Sequence, residues 1–184
     1  YCKTKEEAVK KALEIIPEGS SVSWGGSMTI RDMGLTEALK AGNYEAHDRD
    51  VLPLEKQLEL YRKVFSMDCF VTSANAISED GVIINIDATG NRVAAISFGP
   101  KEVVMVIGLN KVAKDADAAL KRARGTAAPI NMQRFPNSQT PCKFDGTCHN
   151  CTAQGCICCS ISILRYTPVK GRIKVILVDD TLGF

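Results

Sequence analysis

The sequence lacks several things that would assign it quickly. No apolar run approaches the ~20 residues of a bilayer-spanning helix, so a membrane span is not expected. No block or stripe of Lys and Arg appears: 23 basic and 21 acidic residues are spread along the chain, giving a formal net charge of +2. That balance argues against nucleic acid or an anionic membrane surface as partner. The opening YCKTKEEAVKK is charged and reads as a helix, not as a signal peptide. There is no internal repeat and no low-complexity segment. Cysteine is scarce outside one stretch: six of eight lie between residues 140 and 160, leaving Cys2 and Cys69 alone. Secreted disulfide scaffolds are short and spread their cysteines. A chain of 184 residues with 45% hydrophobic and 24% charged content and one thiol-rich loop indicates a reducing cytoplasm instead.

What is present reads as alternating helices and strands. TKEEAVKKALEII carries a capping box at Thr4 and Glu7, with Ala8, Ala12, Leu13 and Ile16 on one face. SVSW is a short strand, and TIRDMGLTEALKAG reads as one helix closing at Gly42. PLEKQLELYRKVF is a third helix with Leu54, Leu58, Tyr61 and Phe65 as its apolar stripe. CFVTS, GVIINID and the uninterrupted run EVVMVIGL are strands, the last suited to burial on both faces. ADAALKRARGTAA is a helix, and CSISILRY and RIKVILV complete the strands. The alternation predicts one α/β domain, residues 1–184, with a mainly parallel sheet flanked by helices. Ligands of open parallel sheets sit beyond the carboxyl ends of the strands, which singles out three polar loops.

Gly25-Gly26-Ser27-Met28-Thr29 follows the first strand. Such a turn exposes backbone N–H groups to an anion, or it is a tight turn capped by Ser27. Asn85-Ile86-Asp87-Ala88-Thr89-Gly90-Asn91-Arg92 crowds amides, a carboxylate and a guanidinium together. Arg92 suits a carboxylate or phosphate and Asp87 a hydroxyl or a proton; the alternative is that Arg92 pairs with Asp87. In Gly108-Leu109-Asn110-Lys111 the lysine offers an anion-binding charge or, if desolvated, a base; a solvated lysine is the plainer reading. Asn131 with Arg134, and His47, Arg49 and Asp50, form smaller polar groups with the same two readings.

The cysteines follow the pattern Cys142-x5-Cys148-x2-Cys151-x4-Cys156-x-Cys158-Cys159. A CxxC pair is a chelate or a redox dithiol. If ICCSISIL is a strand, Cys159 joins Ile157, Ile161 and Ile163 on an apolar face as a small core residue, while Cys156 and Cys158 point away. Either of those then completes a set with Cys142, Cys148 and Cys151 able to hold zinc or an iron–sulfur cluster. A reversible disulfide and inert thiols are the alternatives. His149 is a substitute ligand or a solvated loop residue, and Cys69 a core residue.

SWGGSMT, NAISEDGVIINIDATGNRVAAISFGPKEVVMVIGLNK, AAPINMQR, TPC…GTCHNC…IC and the terminal VILVDDTLGF together resemble the LUD domain family, over Thr4 to Phe184. This is the bacterial and archaeal group that includes the lactate-utilization protein C. The resemblance implies a fold like the ribose-5-phosphate isomerase, glucosamine-6-phosphate deaminase and CoA-transferase (NagB/RpiA/CoA-transferase-like) group. It also implies a role linked to oxidation of L-lactate to pyruvate beside iron–sulfur partner proteins. A small carboxylate or phosphorylated metabolite is the implied ligand, and a homo-oligomer is left open. By motif, Gly25, Gly26, Ser27 and Thr29 become the anion-binding turn. Asn75, Asp80, Asn85, Asp87, Gly90, Asn91, Arg92, Asn110 and Lys111 line the pocket. Cys158 takes the ligand position beside Cys142, Cys148 and Cys151; Cys156 and Cys159 depart from the family pattern. The glutamate nucleophile of true CoA-transferases has no counterpart, so that chemistry is not expected.

Overall fold

A computed structural model describes the whole chain, Tyr1–Phe184. It contains nine strands: β1 (Ser21–Trp24), β2 (Glu45–His47), β3 (Cys69–Thr72), β4 (Ala76–Ser78), β5 (Ile83–Asp87), β6 (Glu102–Gly108), β7 (Val112–Ala113), β8 (Ser160–Leu164) and β9 (Ile173–Val178). The residues group into two compact units. The first comprises Tyr1–Ser73, Ala94–Asn110 and Thr167–Gly183, the second Ala74–Val93, Lys111–Tyr166 and Phe184. No helix is long and apolar enough to cross a membrane.

The first unit is built on a five-stranded sheet in the order β2-β1-β3-β6-β9, every pair parallel. This is the α/β architecture with a mainly parallel sheet that the alternation predicts. On one face Val22, Trp24, Cys69, Val71, Val104, Val106, Ile176 and Val178 pack with Ala8, Ala12, Ile16, Ile30, Leu35 and Leu39 of the flanking helical segments. On the other face Phe70, Thr72, Val103, Met105 and Ile107 are also buried, so β6 is covered on both sides, as its apolar run requires. The helix Lys5–Ile15 begins at Thr4, whose hydroxyl accepts from the Glu7 N–H at 3.2 Å. The Glu7 carboxylate accepts from Lys3, at 2.8 Å, so the reciprocal bond of the box falls one residue early.

Two helices differ from expectation. TIRDMGLTEALKAG is two pieces, Met28–Asp32 and Leu35–Ala41, because Gly34 adopts φ 78°, a left-handed conformation that stops an α-helix. In the helix Leu54–Lys63, Leu54 and Leu58 of the expected stripe are exposed, as is Phe65 beyond its end. Leu60 and Val64 are buried instead. Leu60 and Val64 are an i, i+4 apolar pair off that stripe, and this buried pair runs on into the turn Val64–Ser66 and buried Met67.

The second unit has a sheet of its own, β7-β4-β5-β8, in which β5 runs antiparallel to both neighbours. A tight turn at Ser78–Gly81 joins β4 to β5. The Gly81 N–H donates to the Ser78 carbonyl at 2.9 Å, Gly81 has φ 90°, and Asp80 accepts from the Ser78 hydroxyl. Ile84 and Ile86 pack on Ala119, Ala123 and Ala128 of a helical run. That run starts at Asp115, whose carboxylate caps Ala118 at 2.8 Å, and continues through a π-helical turn, Ala123–Ala127, to Met132.

Candidate functional site

In the first unit, the Gly25–Thr29 turn follows β1 and opens a helix of five residues. Ser27 occupies the cap position but makes no side-chain cap bond. The Arg49 guanidinium, the far end of a long flexible side chain, lies over Gly26 where a Cβ would stand, and it donates to Tyr61 Oη at 2.7 Å. Thr29 is 1% exposed and donates to the Leu182 carbonyl at 3.1 Å. Asn110 accepts from the Leu182 N–H at 3.2 Å. Both residues therefore fasten the C-terminal segment. Asp50 of the HDRD stretch pairs with Arg31 and Arg49, and His47 with Glu45.

The second unit gathers most of the remaining expected ligand-binding residues. The turn after β5 brings Asp87 against Arg92: Nε donates to Asp87 Oδ1 at 2.8 Å, while Asp87 Oδ2 accepts the Val93 N–H at 2.7 Å. The same guanidinium donates to Asn75 Oδ1 at 2.7 Å and to the Ile86 carbonyl at 2.8 Å. Arg122 donates to the Asn75 carbonyl at 2.6 Å. Lys111 is 3% exposed. Burial pulls its pKa down to about 7, with Arg122 and Arg92 pushing the same way as like charges. Asn85 shares the sheet face of Asp87 and is 1% exposed; its Oδ1 is a buried acceptor with no hydrogen-bond donor. Gly90 and Asn91 form the turn into the helix Asn91–Ser97, with Thr89 donating to Asn91 Oδ1 at 2.6 Å. Asp80 lies in the exposed hairpin turn described above. Asn131 accepts from Arg134 at 3.1 Å. Arg122 carried no signal in the sequence: it is one of several basic residues in a helix.

The thiols form a second group in this unit. Cys142 sits in the helix Pro141–Asp145, and Cys148, Cys151, Cys156 and Cys158 follow it. All five line one cavity of about 50 Å³, with Ala128, Pro129, Met132 and Ile161 as apolar walls and Arg124, His149 and Asn150 as polar ones. All eight cysteines are free thiols. Burial pushes Cys158 up to about 12, reinforced by Cys156, Cys148 and Cys142. Burial also raises Cys156, whose sulfur donates to the Cys151 carbonyl at 3.7 Å. No three of the side chains stand in positions that could hold a metal ion. Cys159 corrects the strand-parity expectation: it is exposed, not core. Ile161 and Ile163, expected with it on a buried apolar face, are 43% and 50% exposed, so the face of β8 that carries the isoleucines is not the core face. His149 is paired with Asp145 at 2.6 Å. Cys69 is a core residue as read, and burial pushes its thiol up to about 12.

The LUD domain family model matches residues 1–178. The chain belongs to the LUD domain family. No curated protein matches it. Among solved structures it is similar to ribose 5-phosphate isomerase A from Neisseria gonorrhoeae, at 17% identity and TM-score 0.40, covering 62% of this chain and 56% of that one. It is similar to eIF2B delta from Chaetomium thermophilum, at 16% identity and TM-score 0.41, covering 65% and 54%. A DUF162 family protein from Deinococcus radiodurans is similar at 11% identity and TM-score 0.38, covering 95% and 98%. The chain spans a little over half the length of the first two. The mainly parallel architecture stands on the strand order itself.

Proposed function

We propose that this LUD-domain chain is a subunit or accessory protein in the oxidation of lactate or another small carboxylate, and that its cysteine segment holds zinc or an iron–sulfur cluster. The observation that carries the metal reading is the lining of one cavity by Cys142, Cys148, Cys151, Cys156 and Cys158. The donor set fits a thiophilic ion in kind and number. Because no three sulfurs stand in ligating positions, closure on an ion requires their side chains to turn inward. Zinc bound there would supply a structural cross-link, and an iron–sulfur cluster would supply one-electron transfer. The chain's own part is to gather partly exposed thiols against an apolar wall. Anaerobic purification followed by elemental analysis and an absorption spectrum tests this. Stoichiometric iron or zinc, lost in Cys148→Ser and Cys158→Ser, is the expected result. A colourless protein free of both metals sinks it and leaves the disulfide and free-thiol readings.

A second reading, an enzyme or binding protein for a small carboxylate or a phosphorylated metabolite, is favoured by the Lys111, Arg92 and Arg122 group. Arg92 and Arg122 of the second unit both donate to Asn75, and the buried Lys111 feels the charge of each. Buried cationic groups of this kind recognise carboxylate or phosphate. Thermal unfolding in millimolar lactate, pyruvate, inorganic phosphate and ribose 5-phosphate tests it. At least one of these should raise Tm by several degrees through mass action, and Arg122→Met should abolish the shift. Silence from all four ligands would count against the reading.

A further inference from the structure

Residues two positions apart on a helix do not face each other, so Arg122 and Arg124 leave one helical run, residues 116–132, in different directions. Arg122, just before the π-helical turn Ala123–Ala127, donates to the Asn75 carbonyl. Arg124, inside it, reaches the thiol cavity: it donates to Asn150 Oδ1 and lies 3.9 Å from Cys148 Sγ. It is the sole lysine or arginine in the cavity lining. Asn150 sits within the Cys148–Cys151 pair and has φ 50°, the only residue other than glycine with a positive φ. Asn tolerates that left-handed conformation better than most residues do, and here it reverses the chain so that both cysteines meet the same cavity.

We propose that Arg124 is a positioning residue of the thiol site, and that its fixed charge offsets the negative charge that several thiolates retain after binding a metal. The inference rests on the reading that the cysteines hold a metal. The physical reason is electrostatic: four thiolates outweigh the charge of a divalent ion, and a permanently charged guanidinium beside a half-buried site compensates part of the excess. The bond to Asn150 fixes where that charge sits. Outer groups of this kind orient ligands and set affinity as strongly as many direct contacts do.

The test uses the full chain, reduced and stripped of metal, titrated with cadmium against a competing chelator. The thiolate-to-cadmium charge-transfer absorption is the readout. Arg124→Gln keeps a donor for Asn150 and loses the charge; Arg124→Lys keeps the charge. Far-UV circular dichroism and Tm check that each variant is folded. The expected result is a weakening of about tenfold or more in Arg124→Gln, largely restored in Arg124→Lys. Equal affinity of Arg124→Gln and the wild type overturns the proposal. Equal loss in both variants also overturns it, because the side chain then acts only as a tether. Wild type that takes up no cadmium overturns the metal reading itself, and with it this inference.

Discussion

Lys111→Met raises stability below pH 7 and removes a pH dependence that the wild type shows between pH 7 and 10. The amine is 3% exposed, and its folded pKa is about 7 against 10.5 for the free side chain. Below pH 7 the amine is charged in both states, and the folded state bears the full cost of desolvating it beside Arg122 and Arg92. Between pH 7 and 10.5 the unfolded chain holds a proton that the folded chain lacks, so stability rises with pH. Above 10.5 the two states hold the same number of protons and the penalty is gone. Each pKa unit corresponds to ~1.4 kcal/mol, so the group contributes a rise on the order of 3–4 kcal/mol between pH 6 and 10. Methionine fills a similar volume without a charge. Urea unfolding at several pH values, read as wild type minus variant, isolates this group from all others. The difference should be on the order of 4–5 kcal/mol in favour of methionine at pH 6 and shrink toward zero above pH 10.5. Parallel profiles would show that Lys111 is charged and well solvated in the folded protein. The same depressed pKa leaves an appreciable fraction of the amine neutral near pH 7.

The sequence announces some of this and hides the rest for physical reasons. The run EVVMVIG can be read as a strand covered on both faces because no polar residue interrupts it after Glu102. The thiols that line one cavity lie within one short stretch, so proximity along the chain already brings them near each other. The second sheet is hard to read because β4 is three buried residues, too short for alternation to mark it as a strand, so the Asp80-Gly81 turn signal joins only one legible strand. Leu60 and Val64 outcompete Leu54 and Leu58 through tertiary packing, which helical periodicity does not rank. Cys159 is exposed because the isoleucine face of β8 that it would continue is itself exposed, and alternation alone does not tell which face of a strand is covered. The arginines carried the least signal. Arg172 is 9% exposed and donates to the carbonyls of Ala95, Ile96 and Pro100, at 2.9, 2.6 and 3.2 Å. Its partners are backbone atoms more than seventy positions away, so no spacing of side-chain types predicts it.

Asp87→Asn destabilises the protein by about 3–5 kcal/mol, the range for removing one partner of a buried ion pair. The Asp87 side chain is 10% exposed and that of Arg92 17%, so water compensates neither charge well. The carboxylate answers two donors at once, the Arg92 guanidinium and the Val93 N–H at the start of the helix Asn91–Ser97. An amide keeps one acceptor oxygen and loses the charge that balances Arg92, which acts on buried Lys111 as a like charge. Arg92→Met combined with Asp87→Asn should recover much of the loss, because no buried guanidinium is then left without a counter-charge. Asp80→Asn, in the exposed hairpin turn, should cost under about 1 kcal/mol. Urea unfolding of the four variants, Lys111→Met included, orders them. A cost for Asp87→Asn no greater than that of Asp80→Asn would mean that the Asp87–Arg92 pair is solvated in the folded protein. If the large cost is observed, Asp87 is the counter-charge that makes a group of three basic side chains tolerable in this unit.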